Sequence, residues 1–116
     1  MRIDINGRIK QLIEDNYKAT NSSFLFYLHE RDMFDIDAFS RLLDGINGLE
    51  EKQEELLEQL HFIFSEILKH IIYHFDPNDT SRITNLPDDY WEYLLDLENA
   101  IGRYIRICSG MDRNNG

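Results

Sequence analysis

The chain of 116 residues is poor in cysteine and in basic residues, and each shortage excludes a class of protein. Its one cysteine, Cys108, has no partner for an internal disulfide and offers no thiol pair to a metal ion. Residues 1–8 lack the apolar run of a secretory signal, and no later apolar run approaches the length of a membrane span. These features predict a cytoplasmic protein that makes no use of a membrane.

Motifs of common catalytic sites are also missing from the sequence. It contains no glycine-rich phosphate loop, no Gly-x-Ser-x-Gly elbow and no His-Glu-x-x-His motif. Cys108 is expected near the C-terminal end of a helix, whereas catalytic thiols are activated at helix N-termini or beside cationic groups. We therefore expect a protein that is not an enzyme and needs no cofactor.

Acidic residues dominate the charge of the chain. Twenty-two aspartates and glutamates against twelve lysines and arginines give a net charge of -10. Residues 50–98 hold thirteen of the acidic residues and three basic ones, so the negative charge is concentrated there. A surface of this sign repels phosphate backbones and anionic lipids. Direct binding to nucleic acid is therefore disfavoured, and a basic protein is the expected partner.

Apolar residues recur at helical spacing along most of the chain, and no apolar run has a convincing partner strand. Polar caps, glycines and prolines divide this pattern into five segments. The first predicted helix starts at Asp4 or Asn6 and ends near Lys18, and the second covers residues 24–28. The third starts at Asp35 or Asp37 and ends between Gly45 and Gly48, the fourth covers residues 49–75, and the last covers residues 87–110. The sequence thus predicts an all-α fold, a compact bundle of four to five helices with one long central helix.

The domain organisation follows from the short connections between these segments. The chain has no internal repeat and no linker long enough to separate two domains. We expect a single α-helical domain over residues 1–108 and a disordered polar tail over residues 109–116.

The long predicted helix carries a second stripe of residues opposite its apolar face. In this stripe Phe62 and Tyr73 stand among carboxylates. Large rings anchor protein interfaces, and a rim of carboxylates selects a cationic partner. The predicted partner-binding residues of the stripe are Glu51, Glu55, Glu58, Phe62, Glu66 and Tyr73. The pattern equally fits a bundle in which another helix covers Phe62 and Tyr73.

The first turns of the last helix form a second acidic and aromatic cluster. The predicted partner-binding residues there are Asp88, Asp89, Tyr90, Glu92 and Tyr93. Helical periodicity predicts that Trp91 packs inward with Leu94, Leu95 and Ile105. This arrangement leaves the rings of Tyr90 and Tyr93 freer to meet a partner.

Histidines and carboxylates on the long helix raise the question of a metal site. Glu58 and His61 supply only one half of the paired Glu-x-x-His arrangement that di-iron bundles require. Glu66, His70 and His74 are spaced so that a zinc ion can bridge them. The same positions suit ordinary boundary residues near a helix C-terminus. We therefore expect no metal site.

The acidic segment 50–66 with Phe62, together with the turn at 88–93, resembles the small acidic immunity proteins that protect bacteria from their own secreted toxins. Contact-dependent growth inhibition systems are among those that use such proteins. The resemblance implies a bacterial toxin inhibitor that acts by protein–protein interaction. Such an inhibitor covers the active site or substrate channel of a basic toxin, a nuclease domain, through complementary charge and shape.

Two other functions remain open on the sequence. An antitoxin or phage-type inhibitor that mimics nucleic-acid charge needs carboxylates spaced like phosphates, and the long helix offers a short row of them. A metal-binding helical protein would use Glu66, His70 and His74.

Overall fold

The computed structural model describes residues 5–79 and 82–110, and within these ranges every regular element is a helix. The five helices are α1 (Ile5–Lys18), α2 (Phe24–Arg31), α3 (Ile36–Asn47), α4 (Glu54–Phe75) and α5 (Tyr90–Ser109). This confirms the predicted all-α bundle, with α4 as its longest helix at 22 residues.

Local capping explains where several of these helices begin and end. The side chain of Ser23 accepts a hydrogen bond from the Phe26 amide at the start of α2. The Asp35 side chain caps α3 in the same way by accepting from the Ala38 amide at 2.8 Å, as predicted. At the end of α5, Gly110 adopts the left-handed conformation with φ 79°. The predicted cap Asp4 and the tail residues 111–116 lie outside the described residues.

The sequence places the end of α3 between Gly45 and Gly48. Gly45 does not end the helix but lies buried within it. A Cβ atom at this position would stand 2.7 Å from Cδ2 of Leu12. The glycine is therefore needed for the close approach of α1 and α3. The helix ends at its C-cap, Gly48.

The fourth helix begins at Glu54, five residues later than the sequence predicted. The preceding segment turns because its backbone groups bind the Tyr104 hydroxyl rather than one another. That hydroxyl donates to the Glu51 carbonyl at 2.8 Å and accepts from the Gln53 amide at 2.9 Å. A side chain on α5 thus replaces the first helical turn expected from the local sequence.

The centre of the bundle is built around α4, which packs against α1, α2 and α5. Its core face consists of side chains at helical spacing, namely Leu56, Leu60, Ile63, Ile67 and Ile71. A second part of the core is aromatic, with Phe24, Phe34 and Phe39 in mutual ring contact. Within the described ranges, no helix is both long enough and apolar enough to cross a bilayer.

The connection between α4 and α5 is fixed to the bundle by polar contacts. The side chain of Asn85 accepts a hydrogen bond from the Phe34 amide at 2.7 Å and donates to the Phe34 carbonyl at 3.1 Å. The amide of Thr84 donates to the Asp32 carbonyl at 2.8 Å. These contacts attach the segment before α5 to the connection between α2 and α3.

Candidate functional site

The outer face of α4 carries part of the predicted stripe. Glu55 and Glu58 are exposed, and the side chains of Phe62 and Tyr73 are 42% and 43% exposed. The ring of Tyr17 in α1 contacts Phe62 edge-on, with ring centroids 5.1 Å apart. Helix α1 therefore covers one side of Phe62 and leaves the other side in solvent.

Three carboxylates of the predicted stripe do not form a continuous exposed row on α4. Glu51 is exposed but lies before α4 rather than on it. Glu55 faces α1, where its carboxylate lies 3.7 Å from the Lys10 ammonium. Glu66 has only 15% of its side chain exposed and lies 3.1 Å from the Lys69 ammonium. The stripe is thus shorter than the sequence predicted.

The opening of α5 also differs from its predicted arrangement. Asp88, Asp89 and Glu92 are exposed, as expected for a charged surface. Tyr93, however, packs into the aromatic core, with its ring centroid 5.3 Å from that of Phe34. Tyr90 is half-buried beside Phe75, whose ring lies 5.6 Å away. Neither tyrosine has the freedom that the sequence suggested.

Helical periodicity predicts that Trp91 packs inward, and this prediction is wrong, because Trp91 is 53% exposed. Leu95 and Ile105, predicted to pack with it, are also about half-exposed. The core face of α5 is formed instead by Leu97, Ala100, Ile101, Tyr104 and Cys108. Trp91 lies about 120° around the helix from Leu97, at 3.6 residues per turn, and so points away from the core.

An open groove of about 450 Å³ runs between α4 and α5, and we call it the α4–α5 groove. Its lining residues are Phe64 and Leu68 of α4 and Trp91, Leu94, Leu95 and Glu98 of α5. Glu98 is the one charged residue among them. Ile72 and Phe75 continue the row of Leu68 along α4 and are 63% and 56% exposed. Large apolar side chains gathered on a surface in this way are typical of protein interaction sites.

Sequence reasoning missed this groove because it assigned the whole apolar arc of α4 to the core. The signal was the width of that arc, since the buried positions occupy only one side of it. Phe64, Leu68 and Ile72 form a separate row at a spacing of four residues, and Trp91 and Leu95 repeat this spacing on α5.

A second cluster joins α2 to α4. Nδ1 of His29 lies 3.2 Å from Nε2 of His70, and Nε2 of His29 lies 3.7 Å from a carboxylate oxygen of Glu66. Burial of His70, together with electrostatic repulsion from the His29 imidazole, lowers the pKa of His70 below its usual value, which favours the neutral imidazole of His70.

The three residues that the sequence grouped for a metal ion do not come together. His74 lies apart from Glu66 and His70, and its Nδ1 accepts a hydrogen bond from the Ile83 amide at 2.9 Å. His29 takes its place beside the other two. This residue was missed because it lies 41 positions from His70 in the sequence, on another helix.

Comparisons with protein-family models, with curated proteins and with solved structures gave no match to this chain.

The interior at the end of α5 holds two further titratable groups. Cys108 is buried and is a free thiol. Burial, together with a hydrogen bond to Cys108, raises the pKa of Tyr104 to about 12. A neutral phenol with a buried thiol beside it is suited to packing and hydrogen bonding rather than to nucleophilic attack.

Proposed function

We propose that this chain is a non-enzymatic immunity protein that binds and neutralises a basic protein toxin, a nuclease domain. The observation that carries the proposal is the exposure of Trp91 in the apolar α4–α5 groove. Tryptophan is among the residues that most often anchor protein interfaces. A partner that buries this ring removes a large apolar surface from water.

The sign of the surrounding charge supports a basic occupant for the groove. Both walls of the groove belong to residues 50–98, the segment with thirteen acidic and three basic residues. Glu98 lies inside the groove, and Asp88 and Glu92 are exposed near its Trp91 end. An apolar anchor bordered by carboxylates fits a protein that presents apolar side chains among lysines and arginines.

The outer stripe of α4 lies on another side of that helix from the groove. At 3.6 residues per turn, Phe62 is about 120° around α4 from the groove residue Leu68, and Glu58 is about 80° from it. The groove therefore supplies the anchor of the proposed interface, and the exposed carboxylates of Glu58, Asp88 and Glu92 supply acidic charge on α4 and at the start of α5.

A nuclease is the class of basic toxin that best accounts for such a surface. Nucleases attract the phosphate backbone with a cationic active site or channel, and an acidic protein competes with nucleic acid for that positively charged surface. The proposal also implies a cytoplasmic location, where a nuclease toxin reaches nucleic acid. Mimicry of a phosphate row is less favoured, because Glu55 and Glu66 already face Lys10 and Lys69.

The experiment mixes the chain with the purified basic protein encoded by the gene next to its own. Trp91 is the only tryptophan in the chain, so a change in its fluorescence on mixing reports on the groove. The same mixture made with the Trp91→Ala variant gives the background signal. We expect stoichiometric inhibition of nuclease activity. Trp91→Ala should weaken binding by about thirtyfold or more, corresponding to roughly 2 kcal/mol.

Ile36→Ala is the matched control, because it removes a half-exposed apolar side chain from α3, away from the groove. We expect this variant to bind as the wild type does. Unchanged nuclease activity in the presence of excess chain would contradict the proposal. Equal losses in the two variants would place the interface elsewhere.

A further inference from the structure

The cluster of His29, Glu66 and His70 has the composition of a metal site. One potential ligand atom from each side chain lies within 4.8 Å of the other two. The three residues come from two helices, α2 and α4, which pack against each other. The side chain of His29 is 35% exposed, so an ion and a water ligand can reach it from solvent.

The separation of the two histidine nitrogens fits coordination to one ion. Nδ1 of His29 and Nε2 of His70 are 3.2 Å apart, and their rings stand nearly perpendicular at 79°. Two nitrogens bound to a tetrahedral zinc ion at about 2.0–2.1 Å are themselves about 3.3 Å apart. The backbone positions of α2 and α4 thus already hold the two imidazoles at the distance that zinc requires.

The donor set indicates which ions suit the site. Two imidazoles and one carboxylate favour zinc and the neighbouring divalent transition metals, whereas magnesium and calcium prefer oxygen ligands alone. Oε2 of Glu66 faces the Lys69 ammonium at 3.1 Å and Oε1 lies 3.7 Å from Nε2 of His29, so the carboxylate must move closer to the two imidazoles to become the third ligand.

We infer that His29, Glu66 and His70 bind one divalent transition-metal ion and that zinc is the ion best suited to them. Three protein ligands leave one position of the tetrahedron for water or for a group from another molecule. The bound ion joins the eight-residue helix α2 to the central helix α4. The inference does not depend on the proposed partner, because none of its three residues lines the α4–α5 groove.

The test is a calorimetric titration of the full chain, purified without a histidine tag and treated with a chelator, with zinc chloride. We expect one zinc ion per chain and a higher melting temperature when zinc is present. Magnesium chloride should give neither effect. His29→Ala and His70→Ala should each weaken zinc binding by more than about tenfold and abolish the shift in melting temperature.

His61→Ala is the matched control, because His61 is exposed on the same helix and lies outside the cluster. It should bind zinc as the wild type does. Wild-type protein that takes up no stoichiometric zinc would overturn the inference and leave a direct hydrogen bond between the two imidazoles. Wild-type affinity in both His29→Ala and His70→Ala would overturn it as well.

A measurement on the unmodified chain covers the case in which a variant does not fold. Nitrogen-15 spectra of the imidazole rings should show zinc-dependent shifts at His29 and His70 and none at His61. Zinc-dependent shifts confined to other histidines would contradict the inference.

Discussion

The hydroxyl of Tyr104 in α5 donates a hydrogen bond of 2.8 Å to the backbone carbonyl of Glu51, 53 residues earlier in the chain. The same oxygen accepts from the Gln53 amide. One buried phenol thus satisfies two backbone groups in the segment before α4. It also fixes the residue at which the longest helix begins.

Replacing Tyr104 with phenylalanine should lower the free energy of unfolding by about 1–3 kcal/mol. The change removes a hydroxyl without changing the ring, and it leaves the Glu51 carbonyl and the Gln53 amide without this partner. Chemical denaturation measures the effect. Tyr73→Phe, which removes an exposed hydroxyl, should change stability by no more than about 0.5 kcal/mol. Equal effects in the two variants would contradict the role assigned to Tyr104.

The stabilising effect of the Tyr104 hydroxyl should disappear at alkaline pH. Its pKa is raised to about 12 in the folded chain from a usual value of 10.0, so folding favours the protonated phenol. The contribution of this hydroxyl to the free energy of unfolding is therefore complete below pH 10 and is lost as the pH rises towards 12. The difference in unfolding free energy between wild type and Tyr104→Phe, measured from pH 8 upwards, should be constant at first and then shrink. A difference that grows with pH would contradict the raised pKa of Tyr104 in the folded chain.

The orientation of α4 can be tested with two isoleucines of different exposure. Ile67 is fully buried, whereas Ile72 is 63% exposed. Ile67→Ala should lower the free energy of unfolding by about 2–5 kcal/mol, because it leaves a cavity in the core. Ile72→Ala should cost no more than about 0.5 kcal/mol. Similar losses in the two variants would show that α4 faces another way.

Local signals in the sequence were sufficient to predict most helix boundaries. The cap formed by Asp35 and the stop at Gly110 depend on residues within one turn of the helix end. The start of α4 was predicted wrongly because Tyr104, a residue distant in sequence, binds the backbone there. Helix propensity does not include such a contact.

The candidate sites were predicted less well than the fold, for a related reason. A helical pattern indicates which residues share a face but not how much of an apolar arc the neighbouring helices cover. Trp91 was therefore placed in the core. His29 was missed because its approach to His70 depends on how α2 packs against α4.

Charge near the groove should control how fast the proposed partner binds. Glu58, Asp88 and Glu92 are exposed on α4 and at the start of α5, where a basic protein would approach. The triple variant with lysine at these positions should associate at least about tenfold more slowly, because long-range attraction becomes repulsion. Its association rate should also depend less on salt than that of the wild type. Stopped-flow fluorescence at two salt concentrations measures both effects.

A matched variant separates local charge from the net charge of the whole chain. Lysine at Glu30, Asp37 and Asp44 changes the net charge by the same amount, but these exposed residues lie on α2 and α3. Because electrostatic steering is strongest within about 10 Å of the contact at 0.1 M salt, this variant should be slowed much less. Both variants must melt cooperatively for the rates to be compared. Equal slowing in the two would mean that net charge alone, and not the surface beside Trp91, attracts the partner.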